Sequence, residues 1–211
     1  MCGRYQFSLN QYDDLAQILA DAQRRSRQLS ELNFSMADPI TTPAHGAAAD
    51  IAPTNIAPVM IASGNRVVGE FQKWGIPNFQ GKLVINARAE TVTEKPMFRR
   101  SIAAQRCVVP ASAYYEWDLD KRKYCFSLPG QPLYFAGIYD VVEGINCFVI
   151  LTTAPNSSIQ AIHDRMPLIL MREQVRPWLT DASAALQLLA GRPPLLHKEC
   201  CERQLSFADL T

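Results

Sequence analysis

Leu133-Tyr134-Phe135-Ala136-Gly137-Ile138 and Cys147-Phe148-Val149-Ile150-Leu151 are two apolar runs of strand length, with the turn pair Glu143-Gly144 between them. Short runs rich in aromatic and β-branched residues, bounded by glycine, read as strands joined by turns. The same pattern recurs on the N-terminal side. Val59-Met60-Ile61-Ala62 passes through Ser63-Gly64-Asn65 into Val67-Val68, a hairpin signal. Cys107-Val108-Val109, Tyr114-Tyr115-Glu116-Trp117 and Tyr124-Cys125-Phe126 follow, and Pro129-Gly130 marks a further turn.

Helical patterns interrupt these runs. Residues 8–25 are expected to form a helix, with Ser8 and Gln11 as a capping box and Leu15, Ile18, Leu19 and Ala22 on its apolar face. Residues 96–104 and 155–163 are expected as short helices, Pro155 fitting a first turn. Residues 172–190 are expected as two short helices around Leu179. Residues 30–50 lack periodicity and read as a loop or insertion. The expected fold class is α+β. A single domain over residues 1–211 would hold short, mostly antiparallel strands in a barrel-like sheet flanked by short helices.

Hydrophobic residues make up 48% of the 211, enough for a substantial core. Net charge is +1, so there is no basic coat, and any nucleic-acid contact must come from a local cluster of Arg and Lys. No run approaches the roughly 20 apolar residues of a membrane-spanning helix, and the first residues do not read as a secretory signal. A cytoplasmic protein is expected. The six cysteines, Cys2, Cys107, Cys125, Cys147, Cys200 and Cys201, form no CxxC pair, and the three histidines are His45, His163 and His197. No metal site and no cofactor are expected on that spacing. Cys107, Cys125 and Cys147 read as core thiols.

Four segments carry reactive groups. Trimming of Met1 would make Cys2 the first residue, with an amine and a thiol on adjacent carbons. An α-amine has a pKa of about 7.7–8.0, so part of it is neutral near pH 7 and can attack an aldehyde. The thiol can then close a thiazolidine ring. Taken alone, Cys2 would pass for an ordinary small residue beside the start codon. Around Ile85-Asn86-Ala87-Arg88, Asn86 offers an orienting amide and Arg88 a fork for phosphate. Trp74 is either a core residue or a platform for an unpaired base. Glu116, if buried, would have a raised pKa suited to moving protons, and alternation equally allows it to face outward. His163 can act as acid or base, and Arg165 is a second phosphate candidate.

Together the segments resemble the SRAP family, the SOS-response-associated peptidases or abasic-site processing proteins. The matching motifs are Met1-Cys2-Gly3-Arg4, Ala52-Pro53-Thr54, Trp74-Gly75, Asn86-Ala87-Arg88-Ala89-Glu90-Thr91, Lys95-Pro96 with Phe98, Arg106-Cys107 leading to Pro110-Ala111, Tyr115-Glu116-Trp117 and His163-Asp164-Arg165-Met166-Pro167. They run in family order to about residue 171. The resemblance implies a monomer that cross-links abasic sites in single-stranded DNA, with no membrane or metal partner. It implies Cys2, Asn86, Glu116 and His163 as catalytic residues. Cys2 would supply amine and thiol, Asn86 would position it, Glu116 would move protons, and His163 would assist sugar ring opening. Arg4, Arg88 and Arg165 would grip phosphates, with Pro53 and Trp74 lining the DNA path. Strand cleavage of the lyase type is also implied. A thiol (auto)peptidase using Cys2, His163 and Glu116, and a non-catalytic single-strand-binding module, are the competing readings. The chain departs from the family pattern at Ala49-Asp50-Ile51, at Asn55, at Tyr114 and in the tail over residues 191–211.

Overall fold

The computed structural model describes residues 2–31 and 48–201. In chain order the elements are β1 (Tyr5–Ser8), α1 (Asp13–Glu31), β2 (Ala48–Ile51), β3 (Ile56–Ser63), β4 (Arg66–Trp74), β5 (Ile76–Pro77), β6 (Leu83–Val84) and β7 (Asn86–Arg88). Then follow α2 (Pro96–Ala104), β8 (Arg106–Ala111), β9 (Ala113–Trp117), β10 (Lys123–Ser127), β11 (Leu133–Val142) and β12 (Ile145–Thr153). The chain continues with β13 (Met166–Pro167), β14 (Ile169–Leu170), α3 (Arg172–Thr180), α4 (Ala182–Leu189) and β15 (His197–Cys200).

The two runs that open the sequence argument are β11 and β12, paired antiparallel from Gly137↔Ile150 to Val142↔Ile145. Their turn places Glu143 at φ 51° and Gly144 at φ 81°. Positive φ at both central residues defines the turn whose twist matches a two-residue hairpin. β11 pairs with β8, β8 with β3, β3 with β4, and β4 returns to β12 in parallel at Cys147↔Lys73 and Phe148↔Trp74. These five strands therefore close into a barrel, and the fold is α+β as expected. A second sheet, in the order β15-β10-β9-β1-β2, lies apart from this ring.

Alternation along the barrel strands serves two cores. Phe135, Phe148 and Ile150 face a cluster shared with α1 and the second sheet, which includes Leu15, Tyr5, Phe7, Tyr114 and Phe126. Tyr134, Ala136, Ile138, Val149 and Leu151 face a cluster closed by helices α2, α3 and α4. Helix α1 lies hard against β4: a Cβ on Gly69 would sit 2.3 Å from the Ile18 carbonyl oxygen. Glycine is required there by close approach. Arg106, 8% exposed, caps helix ends from inside the protein. Its guanidinium donates to the carbonyls of Trp178 at 2.7 Å, Ala103 at 2.7 Å and Ile102 at 3.0 Å.

Three expectations need correction. The first helix starts at Asp13, not residue 8, because Ser8 belongs to β1 and its N–H donates to Ser112 Oγ at 2.7 Å. The strand partner overrides the local capping pattern. Within residues 30–50, the last three residues open β2, which pairs with β1, and residues 32–47 lie outside the described residues. Residues 155–163 form turns and no helix, organised by Asn156, whose side chain accepts from Ser158 N–H at 3.0 Å. The helices α2, α3 and α4 stand where expected, with Asp181 dividing the last pair by capping α4. Cys107 and Cys147 are buried, whereas Cys125 is half-buried.

Candidate active site

Cys2 lies three residues before the first residue of β1 and is 1% exposed. Its carbonyl accepts a hydrogen bond from Asn86 Nδ2 at 3.0 Å, across 84 residues of chain. Asn86 is delivered by β7, which pairs in parallel with β12 at Asn86↔Ile150. The other amide atom, Asn86 Oδ1, is buried and has no hydrogen-bond partner among the described residues. It remains able to accept from an amine or a hydroxyl.

Glu116 reaches the same place from β9. The β1–β9 register pairs Tyr5 with Tyr114, so the core-facing row of β9 continues to Glu116 beside the start of β1. Glu116 is 3% exposed, while its neighbour Trp117 faces the other way at 39%. Burial is the main cause that pushes the Glu116 carboxyl up to about 7, the chain's terminal amine opposing it and Asp164 adding to it. Burial likewise pushes the Cys2 thiol far up, with the Glu116 charge adding to it.

His163 sits at the end of the turns that follow β12. Its Nδ1 accepts the Arg165 backbone N–H at 3.0 Å. The same Nδ1 lies 3.0 Å from Asp164 Oδ1. A ring nitrogen that accepts an N–H carries no proton, so the Asp164 contact is no ion pair in the neutral ring, and the proton resides on Nε2. Burial, followed by the charge of the terminal amine, holds the His163 pKa below 6.5. The four residues expected to be catalytic come from the segment before β1, from β7, from β9 and from the turn before β13.

The residues expected to bind DNA differ in what they can offer. Arg88 is exposed on β7 and forms no ion pair among the described residues. Arg4 is 44% exposed and faces Asp50 at 3.6 Å. Arg165 is 13% exposed, with its fork engaged: Nη1 and Nη2 each meet a Glu90 oxygen at 2.7 Å, and Nη2 also reaches the Thr152 carbonyl at 2.7 Å. Pro53 is half-buried in a turn fastened to β4, where Thr54 N–H donates to the Trp74 carbonyl and Trp74 N–H to the Asn55 carbonyl, both at 2.8 Å. Trp74 itself is 0% exposed. Its Nε1–H donates to Ile85 O at 3.0 Å and its ring stacks on Phe148. The structure therefore corrects the stacking expectation: Trp74 is a core residue with no free face for a base. His45 lies outside the described residues, and His197 stands on β15 beside Glu199. Among the described residues no three His, Cys, Asp or Glu side chains converge as metal ligands, and no helix is long and apolar enough to cross a membrane.

The family model described as SOS response associated peptidase (SRAP) matches residues 1–201. The chain belongs to the SRAP family. Among SRAP relatives, it is 38% identical to the abasic site processing protein YoaM of Bacillus subtilis, over 64% of this chain and 67% of that one. It is 34% identical to the abasic site processing protein YedK of Escherichia coli, over 46% and 47%. The abasic site processing protein YMR114C of Saccharomyces cerevisiae is 28% identical and aligns with 100% of this chain and 64% of its own length. The matched stretches thus span about half to two thirds of these relatives. A crystal structure of a Bordetella bronchiseptica protein shares the fold with a TM-score of 0.69 at 23% identity, covering 96% of this chain and 100% of that one.

Two further residues adjoin this SRAP site, and no local sequence pattern points to the first. Glu90 is the partner that occupies Arg165. Trp117 is the partly exposed tryptophan next to Glu116. Alternation carried that signal, since a buried Glu116 forces its neighbour outward.

Proposed function

We propose that this SRAP chain, once Met1 is removed, captures abasic sites in single-stranded DNA as a thiazolidine cross-link through Cys2. The observation that carries the reading is the Asn86–Cys2 hydrogen bond, which fixes the start of the chain beside a buried carboxyl of pKa about 7. A neutral Cys2 amine attacks the sugar aldehyde. The carbinolamine hydroxyl leaves as water after protonation by Glu116. The thiol then gives its proton to the Glu116 carboxylate and its sulfur adds to the iminium carbon, the C=N electron pair returning to nitrogen. His163, neutral with its proton on Nε2, is suited to protonate the ring oxygen as the sugar opens. Residues 1–211 form one SRAP-like domain in this reading, and Arg88 is the cation best placed for a phosphate.

A thiol peptidase needs a thiolate near neutral pH, usually obtained by a lowered thiol pKa. Burial moves Cys2 in the opposite direction, which favours attack by the amine over attack by sulfur. The test is a denaturing gel. Protein with a free Cys2 amine, mixed with single-stranded DNA holding one abasic site, is expected to give a shifted band, and intact DNA none. A Cys2→Ser variant keeps the amine and loses the ring-closing thiol, so its adduct should be far less durable. No shifted band, with mass spectrometry confirming a free Cys2, would remove the proposal.

A further inference from the structure

Two buried hydroxyls beside Cys2 take no part in the steps above. Tyr114 lies two residues before Glu116 on β9 and faces the same way. Tyr5 stands directly across from it on β1, and both side chains are 0% exposed. Neither hydroxyl oxygen has a hydrogen-bond partner among the described residues. The rings are held firmly. Tyr114 packs on Phe126 and Phe135 at 5.2 and 5.8 Å, and Tyr5 on Trp74 and Phe135 at 5.3 and 6.0 Å. Cys2 belongs to the same packed cluster. A buried hydroxyl without a partner costs free energy, and phenylalanine would fill either position without that cost.

The surroundings suggest what the hydroxyls serve. After burial, the largest influence on both phenols is the charge of the Cys2 sulfur, followed by Glu116 for Tyr114 and Cys107 for Tyr5. Both phenols are raised, so both stay protonated and able to donate. The sulfur is also met by the Arg4 backbone N–H, which favours its charged form, and by the Glu116 carboxyl, which opposes it.

We propose that the Tyr114 hydroxyl, with that of Tyr5 beside it, donates to the Cys2 sulfur when it is a thiolate, which makes Tyr114 a further residue of the reaction centre. The inference rests on the reading of Cys2 as the nucleophile. It concerns the interval in ring closure after the S–H proton has passed to Glu116 and before the C–S bond has formed. Negative charge then sits on sulfur in a dry site, where a phenolic O–H is a strong compensating donor. Among the described residues, the titratable groups coupled to Cys2 are Glu116 and Tyr114 on β9 and Tyr5 on β1.

The test uses the full chain with Met1 removed and iodoacetamide as a probe of the Cys2 thiolate, read by mass spectrometry of the N-terminal peptide across a pH series. Tyr114→Phe is expected to slow Cys2 labelling roughly tenfold below its plateau, about the worth of a hydrogen bond to a charged group, and to move the profile to higher pH. The effect should persist in a Glu116→Gln background, because it acts on sulfur and not on the carboxyl. Thermal stability should hold or rise. Tyr5→Phe should shift labelling in the same direction, and it serves as the second variant. An unchanged labelling profile in both variants, with or without a loss of stability, overturns the inference. Adduct formation with abasic DNA is measured alongside. Adducts with an unchanged labelling profile sink this inference alone, whereas shifted labelling without any adduct sinks the DNA reading alone.

Discussion

Replacing Glu116 by glutamine should make the protein more stable at alkaline pH and flatten its stability between pH 5 and 8. The carboxyl is moved from an ordinary 4.5 to about 7, chiefly by burial, so the native state favours its neutral form. An acid with a raised native pKa contributes its full stability below the unfolded value. That contribution is lost as pH rises through the native value. With these two pKa values, roughly 3 kcal/mol is lost in full above about pH 8, and about 2.5 kcal/mol of it between pH 5 and 8. Glutamine keeps the shape and does not titrate. Urea denaturation of both proteins at the two pH values measures the difference. The gap between them should swing toward the variant by about 2.5 kcal/mol, equivalent to roughly 5–10 °C in Tm for a chain of this size. A gap that stays the same at both pH values would refute a buried carboxyl with a raised pKa, and with it the proton-shuttle role.

Two other outcomes follow from side chains already described. Arg106→Met should cost about 2–4 kcal/mol in urea denaturation, because three carbonyls at the ends of α2 and α3 lose their shared donor. Arg88→Ala should weaken single-stranded DNA binding and make its salt dependence shallower by about 0.7 in log–log slope, as expected for one lost phosphate contact, when measured by fluorescence anisotropy.

The sequence revealed what depends on neighbours and concealed what depends on partners far along the chain. Gly64 and Glu143-Gly144 marked two barrel hairpins because turn chemistry is local. Ser8 and Gln11 imitated a helix cap, but the bond that decides Ser8 comes from Ser112, 104 residues away. Glu116 and Trp117 had to face opposite ways by alternation. Which one turned inward was settled only by pairing β9 with β1. Nothing near Trp74 said core or surface, since its cover comes from Tyr5 and Phe148. Arg165 read as a free cation because Glu90 lies 75 residues before it. The motifs named the candidate site, and the parallel β7–β12 register, which no local pattern encodes, brought Asn86 to Cys2.

The directions in which the groups are shifted argue for an order of events. The imidazole is held down and the thiol is pushed up, so near pH 7 His163 is neutral and Cys2 still holds its proton. The carboxyl at about 7 is divided between its two forms and can both give and take a proton. An exposed α-amine, with a pKa of about 7.7–8.0, has a neutral fraction at the same pH. In the proposed reaction the only competent nucleophile at the outset is therefore the amine. Sulfur becomes one only after Glu116, having delivered a proton to the departing hydroxyl, is again a carboxylate and can accept the thiol proton. In the proposed reaction the carboxyl is thus required twice and in opposite senses. Glu116→Gln should accordingly block imine formation as well as ring closure, whereas Cys2→Ser should stop at the imine, which borohydride would trap. If Glu116→Gln instead accumulated a borohydride-trappable imine as fast as Cys2→Ser does, proton delivery in the first step would have to come from another group, such as His163.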